Sequence, residues 1–454
     1  MRLAQSLAAP ALETGYYHSL CQQRFGRQPQ VDCANLSGAS EAAVQQDIIR
    51  WQMLLAIAIT LPACPSVLLL GSLGDAYGRK RVILAPLALE SLYAFSALLV
   101  VQRLLPFSAL LLPAFIFGLG GNFGGFFMTM MAVVADGTVR PDLLSSRFVV
   151  FYVASTFSAS AGAFLAGKLA PLIGGAGLMA LSLAARLLAV LSCICLLPEV
   201  RAQLFRYKKL MHEWGRFGSR DDADSLEKTG IGVVGKALAE GSTAFLRSWS
   251  ILRKPRAGRD CLLLVQVIYL LAGVAESTGY VVIGPFLLRH PLAFDTAQLA
   301  FFLAYNEVLG VLGMLAGVLV TKHLLHLTDY TLTALALCSS LAYVLLLALS
   351  SKSWMVYLAS TMGCFRDLAG QSLKAAVVPL LSPDELGSAY VFFSVGISVS
   401  QLLGALGGGL IYEVSVASSP GLVFYFCAGL YAIALPAAIY MRHRAAQIPK
   451  LMPK

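Results

Sequence analysis

Long runs of apolar residues recur along the chain, separated by shorter polar stretches. Each run holds roughly 20 residues or more, and about 20 helical residues cross a hydrocarbon core of about 30 Å. Polar and apolar positions do not alternate inside the runs, so helices rather than a barrel would satisfy their backbone groups. The pattern predicts an all-α polytopic membrane protein. The predicted spans are 50–70, 82–102, 108–134, 147–170, 176–197, 261–288, 298–321, 329–350, 354–380, 388–412 and 421–441.

Composition and charge support this prediction. Of the 454 residues, 58% are hydrophobic and 13% are charged, against about 25% charged residues in soluble domains. The net charge of +10 does not indicate nucleic-acid binding, because the basic residues gather in alternate connections such as Arg79–Arg81. Lys and Arg are retained on the cytoplasmic side. These connections, the segment 198–260 and the tail 443–454 are therefore predicted to be cytoplasmic.

The N-terminal residues do not reach the length of a span. Residues 1–12, "MRLAQSLAAPAL", are too short to cross a bilayer and lack the charged start and cleavage site of a signal peptide. We interpret them as a shortened first helix, followed by an extracellular loop over 14–48. A protein of eleven spans with a translocated N-terminus is the alternative. The loop contains a possible disulfide, Cys21 with Cys33, and a glycosylation sequon at Asn35, both suited to an outside location.

A repeat divides the chain into two halves. The sequence "PDLLSSRFVVF" begins at Pro141, and "PDELGSAYVFF" begins 242 positions later at Pro383, each just before an apolar run. Paired copies are typical of transporters built from parallel halves. We predict two pseudo-symmetric six-helix bundles over 1–197 and 261–442, with about eleven complete spans plus the shortened helix. The central loop 198–260 would carry an interfacial helix with the stripe Leu238, Phe245, Trp249 and Leu252.

The stretch "GSLGDAYGRKR" in the connection between the first two predicted spans combines glycines, bases and a carboxylate. A simple positive-inside turn would explain its bases but not the glycines around Asp75. The stretch resembles the signature loop of the major facilitator superfamily, and this resemblance implies a cytoplasmic latch in which Asp75 meets the start of the eleventh helix, here Ser382–Glu385. The residues that would form the latch are Gly71, Leu73, Asp75, Gly78, Arg79, Lys80 and Arg81.

More narrowly, the chain is similar to fungal-type relatives of the proton-coupled folate and thymic stromal transporter group. The features that carry this similarity are Glu13, Cys21, the opening "IIRWQ" of the second helix and the "PDELGSAY" turn. Two features depart from the family. The segment "SAGAFLAG" (Ser160–Gly167) lacks the Gly-Pro step of the antiporter motif, and "TKHLLHLTD" has lost the signature in the second half.

Ionisable and polar residues inside predicted spans are candidates for solute or proton binding, because burying them in lipid is costly. Tyr269, Glu276 and Tyr280 share one helical face, and we expect Glu276 and Glu307 to couple transport to protons. Glu90 or Arg186 could instead pair across helices, and Asp367 could pair with Lys374 within one helix near the interface. The full set of candidates is Glu90, Asn122, Arg186, Tyr269, Glu276, Tyr280, Asn306, Glu307, Arg366 and Asp367.

The sequence contains no zinc-type Cys/His spacing, no phosphate-binding glycine loop and no nucleophile beside a base, so we predict neither an enzyme nor a metal or cofactor site. The predicted function is secondary active transport of a small organic solute by alternating access, driven by a proton gradient. Efflux of a metabolite is preferred, and import of an anionic nutrient is the first alternative. A non-transporting receptor or an inactive remnant is the second. We expect a monomer in the plasma membrane, with the lipid bilayer as its partner.

Overall fold

The computed structural model describes residues 1–25, 33, 36, 38–136, 144–197, 258–317, 328–377, 380–381 and 383–445. Within these ranges the regular elements are helices, which confirms the predicted all-α membrane fold. In the described part of the chain, nine helical stretches are long and apolar enough to cross a membrane. The helices are α1 (Arg2–Phe25), α2 (Gly38–Tyr77), α3 (Arg79–Val101), α4 (Leu111–Leu119, after a 3-10 turn at Phe107–Leu110), α5 (Asn122–Asp136), α6 (Leu144–Leu196), α7 (Arg259–Leu288), α8 (Thr296–Ala316), α9 (Asp329–Ala348), α10 (Ser353–Met362), α11 (Leu368–Val377), α12 (Pro383–Ser415) and α13 (Leu422–Ala445).

Helix α1 corrects the prediction for the N-terminal region. It has 24 residues, which is about 36 Å at 1.5 Å per residue, so it is not the shortened helix that we expected. The expected loop over 14–48 is wrong at both ends, because α1 continues to Phe25 and α2 already begins at Gly38. Cys21 and Cys33 form the disulfide that joins the end of α1 to this connection. Asn35 lies outside the described residues.

Small residues let α1 pack tightly against α6. Ala4, Ala8 and Ala11 are buried on α1, and Gly162 of α6 lies against the backbone of Leu3. The Ser182 hydroxyl of α6 donates a hydrogen bond to the Ala4 carbonyl at 2.7 Å. Helix α1 is therefore surrounded by protein, which explains how a helix with many polar residues lies among the spans.

Two of the predicted continuous spans are broken. The run 108–134 contains α4 and α5, separated at Gly120 and Gly121, where Gly121 has φ of 79°. The run 354–380 contains α10 and α11, separated by turns over 363–367. Gly363 lies 242 positions after Gly121, the same offset that separates Pro383 from Pro141. The two breaks therefore occupy corresponding positions in the two halves.

Helix α6 covers two predicted spans, 147–170 and 176–197. Its two arms meet at Gly174, whose φ of 68° and ψ of 179° are not helical. A positive φ is accessible to glycine without steric cost, so the bend lies at this residue. The two arms give the first half six helical passes from α1 to α6.

Each half has its own hydrophobic core. One core is centred on α7 to α13 and contains the fully buried Tyr412, Phe302 and Phe424. The other is centred on α1 to α6 and contains Leu7, Ile48 and Leu178. The halves meet where α6 packs on α8 and α2 packs on α12. The space between them holds the polar residues described next.

Candidate functional site

Charged side chains from both halves lie between the two bundles, at the level of the breaks. Glu276 interacts electrostatically with Asp367, Arg366, Lys374 and Glu307. Arg2 of the first half lies within electrostatic range of Glu307. The resulting set has three acidic and three basic members, and we call it the central cluster: Arg2, Glu276, Glu307, Arg366, Asp367 and Lys374.

Arg366 is held by three neighbours. Its Nη1 donates to Asn306 Oδ1 at 2.7 Å, and its Nε donates to Asp367 Oδ1 at 3.2 Å. The guanidinium lies over the ring of Tyr343, 4.9 Å from the centroid. A guanidinium presents five donors in a fixed plane, so Arg366 retains donors that these contacts do not use. An anionic group entering the cavity could accept hydrogen bonds from them.

The break between α10 and α11 places Arg366 and Asp367 inside the bundle rather than on a continuous helix face. Two glycines of α8, and Gly317 directly after its end, allow this segment to come close. Gly310 faces the Asp367 carboxylate, Gly313 faces the Cys364 backbone, and Gly317 faces Leu368. Their spacing of three and four residues puts them on one face of α8. These glycines therefore allow the backbone of α8 to lie close to the backbone of the break between α10 and α11.

Ser339 of α9 bonds the backbone that the break leaves free. Its hydroxyl donates to the Met362 carbonyl at 2.6 Å and accepts from the Phe365 amide at 3.2 Å. Within a bilayer, irregular backbone is tolerated only where the protein satisfies its polar groups. One side chain thus bonds the backbone groups left free between α10 and α11.

Replacing Ser339 with alanine is expected to destabilise the protein by about 2 kcal/mol, because it leaves a partly buried carbonyl and a partly buried amide without their partner. The thermal unfolding midpoint of the purified protein measures this. Ser158→Ala is the matched control, since the Ser158 hydroxyl donates to the Ala154 carbonyl within its own helix. Equal midpoints for the two variants would show that Ser339 does not support the break.

Lys374 and the aromatic residues of α7 extend the central cluster towards α11. The Lys374 ammonium lies 5.8 Å from the centre of the Tyr269 ring, and Tyr269 packs edge-on against Phe393. Lys374 and Glu276 interact electrostatically. The predicted pairing of Asp367 with Lys374 is not what the structure has, because Asp367 hydrogen-bonds Arg366 in the break, before α11 begins.

The cavity between the halves is open to solvent. Tyr280, about two turns before the end of α7, is 84% exposed, and Glu276 one turn earlier is also exposed. Tyr280 nevertheless lies within electrostatic range of Arg2, Glu13 and Glu307, so it faces the other half rather than lipid. Ionisable groups of this kind inside a span mark solute and ion pathways.

The first half contributes fewer charged and more aromatic side chains to the cavity. Arg2 lies over the ring of Phe123 at 4.1 Å from the centroid, and Tyr152 lies within electrostatic range of Asp367 and Glu276. Asn122 caps its own helix, because its Oδ1 accepts from the Gly124 amide at 2.6 Å. Asn122 is the first residue after the break between α4 and α5, so this hydrogen bond is enough to explain why an asparagine stands there.

Glu90 and Arg186 do not belong to the central cluster. They form an ion pair of 3.2 Å inside the first half, where both side chains are more than 90% buried. Arg186 also donates to Ser182. The structure therefore has the alternative of pairing across helices, and it shows that Glu90 and Arg186 are each other's partner.

Polar contacts join the two halves at the end of the bundle that carries the Cys21–Cys33 disulfide, which we call the outer end. Arg50 donates to Glu413 Oε1 at 2.7 Å. Glu41 Oε1 accepts from the His290 amide at 2.9 Å. The hydroxyls of Thr14 and Thr296 are 3.1 Å apart. These contacts close the outer end of the cavity.

The latch segment differs from the predicted loop. Helix α2 continues to Tyr77 and α3 begins at Arg79, so Gly78 alone separates them, with φ of 94°. Lys80 donates to the Ile194 carbonyl at 2.7 Å. The side chain of Asp75 and those of residues 382–392 lie outside the described residues, as do most of the central loop and the tail beyond 445. The contact of Asp75 with the start of α12 stays a prediction.

Glu13 is a further candidate site residue. The sequence analysis named it only as a feature of the family similarity and did not include it among the site residues. The structure places it in the middle of α1, where it accepts from Gln52 Nε2 at 3.2 and 3.1 Å. The sequence analysis ended the first helix at residue 12, so it did not place Glu13 inside a span. The sequence did contain a signal that the helix continues to Glu13. Small and apolar residues at helical spacing precede it on one face of α1, namely Ala4, Leu7, Ala8 and Ala11.

Two helical halves around a charged central cavity define a membrane transporter of the two-bundle class, which is not an enzyme. The chain matches the Major Facilitator Superfamily over residues 3–373. It belongs to that family, which confirms the resemblance drawn from the signature sequence.

The chain is similar to a transporter sequence over part of its length and to solved transporter structures over nearly all of it. A "probable peptidoglycan muropeptide transporter SLC46" of Drosophila melanogaster is 24% identical over 192 residues, which cover 41% of this chain and 37% of that relative. The chain thus matches little more than a third of that protein's length. The human organic anion transporter MFSD10 superposes with a TM-score of 0.59 at 16% identity, covering 96% of this chain and 97% of that one. The nucleoside transporter NupG superposes equally well at 14% identity, covering 97% and 98%.

Proposed function

We propose that the protein is a proton-coupled secondary transporter of a small organic solute that carries an anionic group. The central cluster is the observation that carries this proposal, because its six charged side chains come from both halves, and Glu276 among them is exposed to solvent. Charges are costly inside a bilayer, and in membrane proteins they mark the path of a solute or ion.

The two broken spans support the same position for the solute. Discontinuous helices at corresponding places in the two halves are typical of transporter binding sites near the middle of the membrane. Here the first-half break carries Gly121 and Asn122, whereas the second-half break carries Arg366 and Asp367. We propose that the second half supplies the charged contacts and the first half supplies ring and backbone surfaces.

Arg366 favours an anionic solute over a neutral one, since its fork of donors suits a carboxylate or phosphate. Efflux of a metabolite and import of an anionic nutrient are opposite directions of this one mechanism. The proteins compared above are an organic anion transporter, a nucleoside transporter and a probable muropeptide transporter. We place the protein in the plasma membrane as a monomer, with the Asn35 sequon as its glycan site.

Flux through proteoliposomes tests the proposal. The purified protein is reconstituted and offered small organic anions, nucleosides and dipeptides, with the pH gradient set first in one direction and then in the other. We expect at least one anionic solute to move with the gradient, and the productive direction to distinguish import from efflux. A receptor or an inactive remnant would move none of them, and that result would overturn the proposal.

The carboxylates of the cluster are expected to couple the flux to protons. Replacing Glu276 with glutamine and Glu307 with glutamine keeps the shape of each side chain and removes its titration. We expect each variant to lose most of the pH dependence of flux while exchange of solute across the membrane continues, since exchange requires no net proton movement. Lys168→Gln is the control, because Lys168 lies over Phe164 and Phe301 outside the cluster. An unchanged pH dependence in both glutamate variants would rule out their coupling role.

A further inference from the structure

Glu13 has an unusual partner for a carboxylate inside a membrane protein. Its two oxygens accept hydrogen bonds from Gln52 Nε2, at 3.2 and 3.1 Å. The other polar atom of the same amide, Gln52 Oε1, is buried and has no hydrogen-bond partner among the described residues. A buried acceptor without a donor is unfavourable, because it has lost its hydrogen bonds to water and gained none in the protein. A proton on Glu13 would supply the missing donor.

The surroundings of Glu13 contain no paired cation in the part of the chain that the structure describes. The titratable groups within electrostatic range are phenols: Tyr16 on α1 itself, Tyr93 on α3 and Tyr280 on α7. Helix α2 contributes the neutral Gln52.

The other two helices that pack against α1 direct their charges elsewhere. On α6, Arg186 pairs with Glu90 and Lys168 lies over aromatic rings. On α8, Glu307 lies near Arg2. Glu13 differs in this respect from Glu276, which has Arg366 and Lys374 nearby.

Glu13 also lies on the surface where the two halves meet. A Cβ atom on Gly284 of α7 would come within 2.8 Å of the Glu13 carboxyl group, so glycine is what allows this approach. The next residue, Thr14, contacts Thr296 of the second half. The carboxyl group of Glu13 therefore contacts the second half at Gly284, next to the outer-end contact between Thr14 and Thr296.

We propose that Glu13 is a proton-binding site whose occupancy controls closure of the outer end. With the outer end closed, Glu13 carries a proton and forms an acid–amide pair with Gln52, in which the acid O–H donates to Oε1 and the amide N–H donates to the carboxyl oxygen. When the halves separate at Gly284, Glu13 meets outside water and releases its proton. This inference rests on the proposed function and adds a site that is separate from the central cluster.

The direction of the pH effect follows from the cost of burying charge. An ionised carboxylate against Gly284 would lie in a water-poor surface without a cation, which is strongly unfavourable, whereas the protonated acid is neutral and fully bonded. The closed state therefore binds the proton more tightly than the open state. Closure is favoured at low pH and is lost as the pH rises through the value at which the closed state releases its proton.

Infrared difference spectroscopy of the full chain tests the protonation directly and needs no solute. We expect the wild-type protein to show the carbonyl stretch of a protonated carboxyl group that disappears in Glu13→Gln. The band should also shift in Gln52→Leu, which removes its hydrogen-bond partner. The Gln52→Leu measurement keeps the test available if Glu13→Gln does not fold. A spectrum without a band that responds to either substitution would overturn the proposal.

Spin-label distances across the outer end test the control of closure. Labels at Gln23→Cys and Ser419→Cys, in a background that keeps only the Cys21–Cys33 disulfide, report the separation of the halves. We expect the wild type to shift from closed towards open as the pH rises, and Glu13→Gln to stay closed throughout. The Glu13→Asp variant should keep the pH response.

Other titratable groups at the outer end provide the controls for this measurement. Glu41 faces the backbone of His290, Glu413 pairs with Arg50, and His18 lies nearby on α1. Glu41→Gln, His290→Gln and His18→Gln are expected to keep a pH-dependent shift. If Glu13→Gln responds to pH as the wild type does, the gating role is wrong. Because no solute is present, this result is independent of the flux measurements on Glu276 and Glu307.

Discussion

Replacing Glu90 with glutamine is expected to destabilise the protein by about 3–5 kcal/mol, the typical cost of removing one partner of a buried ion pair. The carboxylate lies 3.2 Å from Arg186 Nε, and the two side chains are 4% and 8% exposed. Without Glu90, the Arg186 guanidinium remains charged in the interior of the first half, because arginine cannot release its proton in a protein.

The reverse substitution should cost less. In Arg186→Gln the remaining acid can take up a proton and become neutral, which avoids most of the penalty for a buried charge. We therefore expect Glu90→Gln to lower the unfolding midpoint more than Arg186→Gln does. The double variant should be more stable than Glu90→Gln alone, since it leaves no charge behind.

Unfolding midpoints of the purified variants in one detergent measure these differences. Glu413→Gln is the control: it breaks the ion pair with Arg50, which is 57% exposed, and such pairs contribute about 0–1 kcal/mol. If Glu90→Gln unfolded like Glu413→Gln, the pair would not support the first half. Equal losses for Glu90→Gln and Arg186→Gln would contradict the explanation from protonation.

The spans and the two halves could be predicted because lipid imposes a simple rule on sequence. A segment that crosses hydrocarbon must be apolar over its whole length, and eleven segments show this in the sequence. Helix α1 does not obey the rule, since it is covered by α6, α2 and α8 rather than by lipid. Its polar residues Gln5, Glu13 and Thr14 face protein, so hydropathy underestimates its length.

The helix breaks could not be predicted, because an apolar run has the same composition whether its helix is continuous or interrupted. Contacts between helices decide whether the helix in such a run is interrupted. Gly313 lets α8 reach the Cys364 backbone, and Ser339 bonds the freed groups from a helix more than 20 residues away in sequence. A row of glycines in one helix and a serine in another carry no signal of a shared role.

For the site, the sequence indicated which residues are unusual but not which of them act together. Arg186 and Arg366 have the same character in the sequence, an arginine inside a span. The structure separates them, since Arg186 pairs with Glu90 within one half, and Arg366 faces the cavity with Asn306 and Asp367. Partners on distant helices are fixed by packing, which a single sequence does not reveal.

Replacing Arg366 with alanine is expected to reduce proton-driven solute flux by about 30-fold or more. Truncating one member of a hydrogen-bonded charge cluster costs about 2–5 kcal/mol, and each 1.4 kcal/mol is a factor of ten. Arg366→Lys should also be poorly active. A lysine keeps the charge but cannot hold the Arg366 contacts with Asn306, Asp367 and the Tyr343 ring at once.

Loss of flux alone would not show whether Arg366 binds the solute or only neutralises Asp367. The double variant Arg366→Ala with Asp367→Ala separates the two roles, because it removes the unpaired acid together with its partner. If Arg366 binds the solute, the double variant regains the unfolding midpoint of the wild type but not its flux. Recovery of both would assign Arg366 a structural role and move the anionic subsite to Lys374 or Arg2. Arg442→Lys, at the end of α13 and away from the cavity, should leave flux unchanged, which controls for the chemistry of the substitution itself.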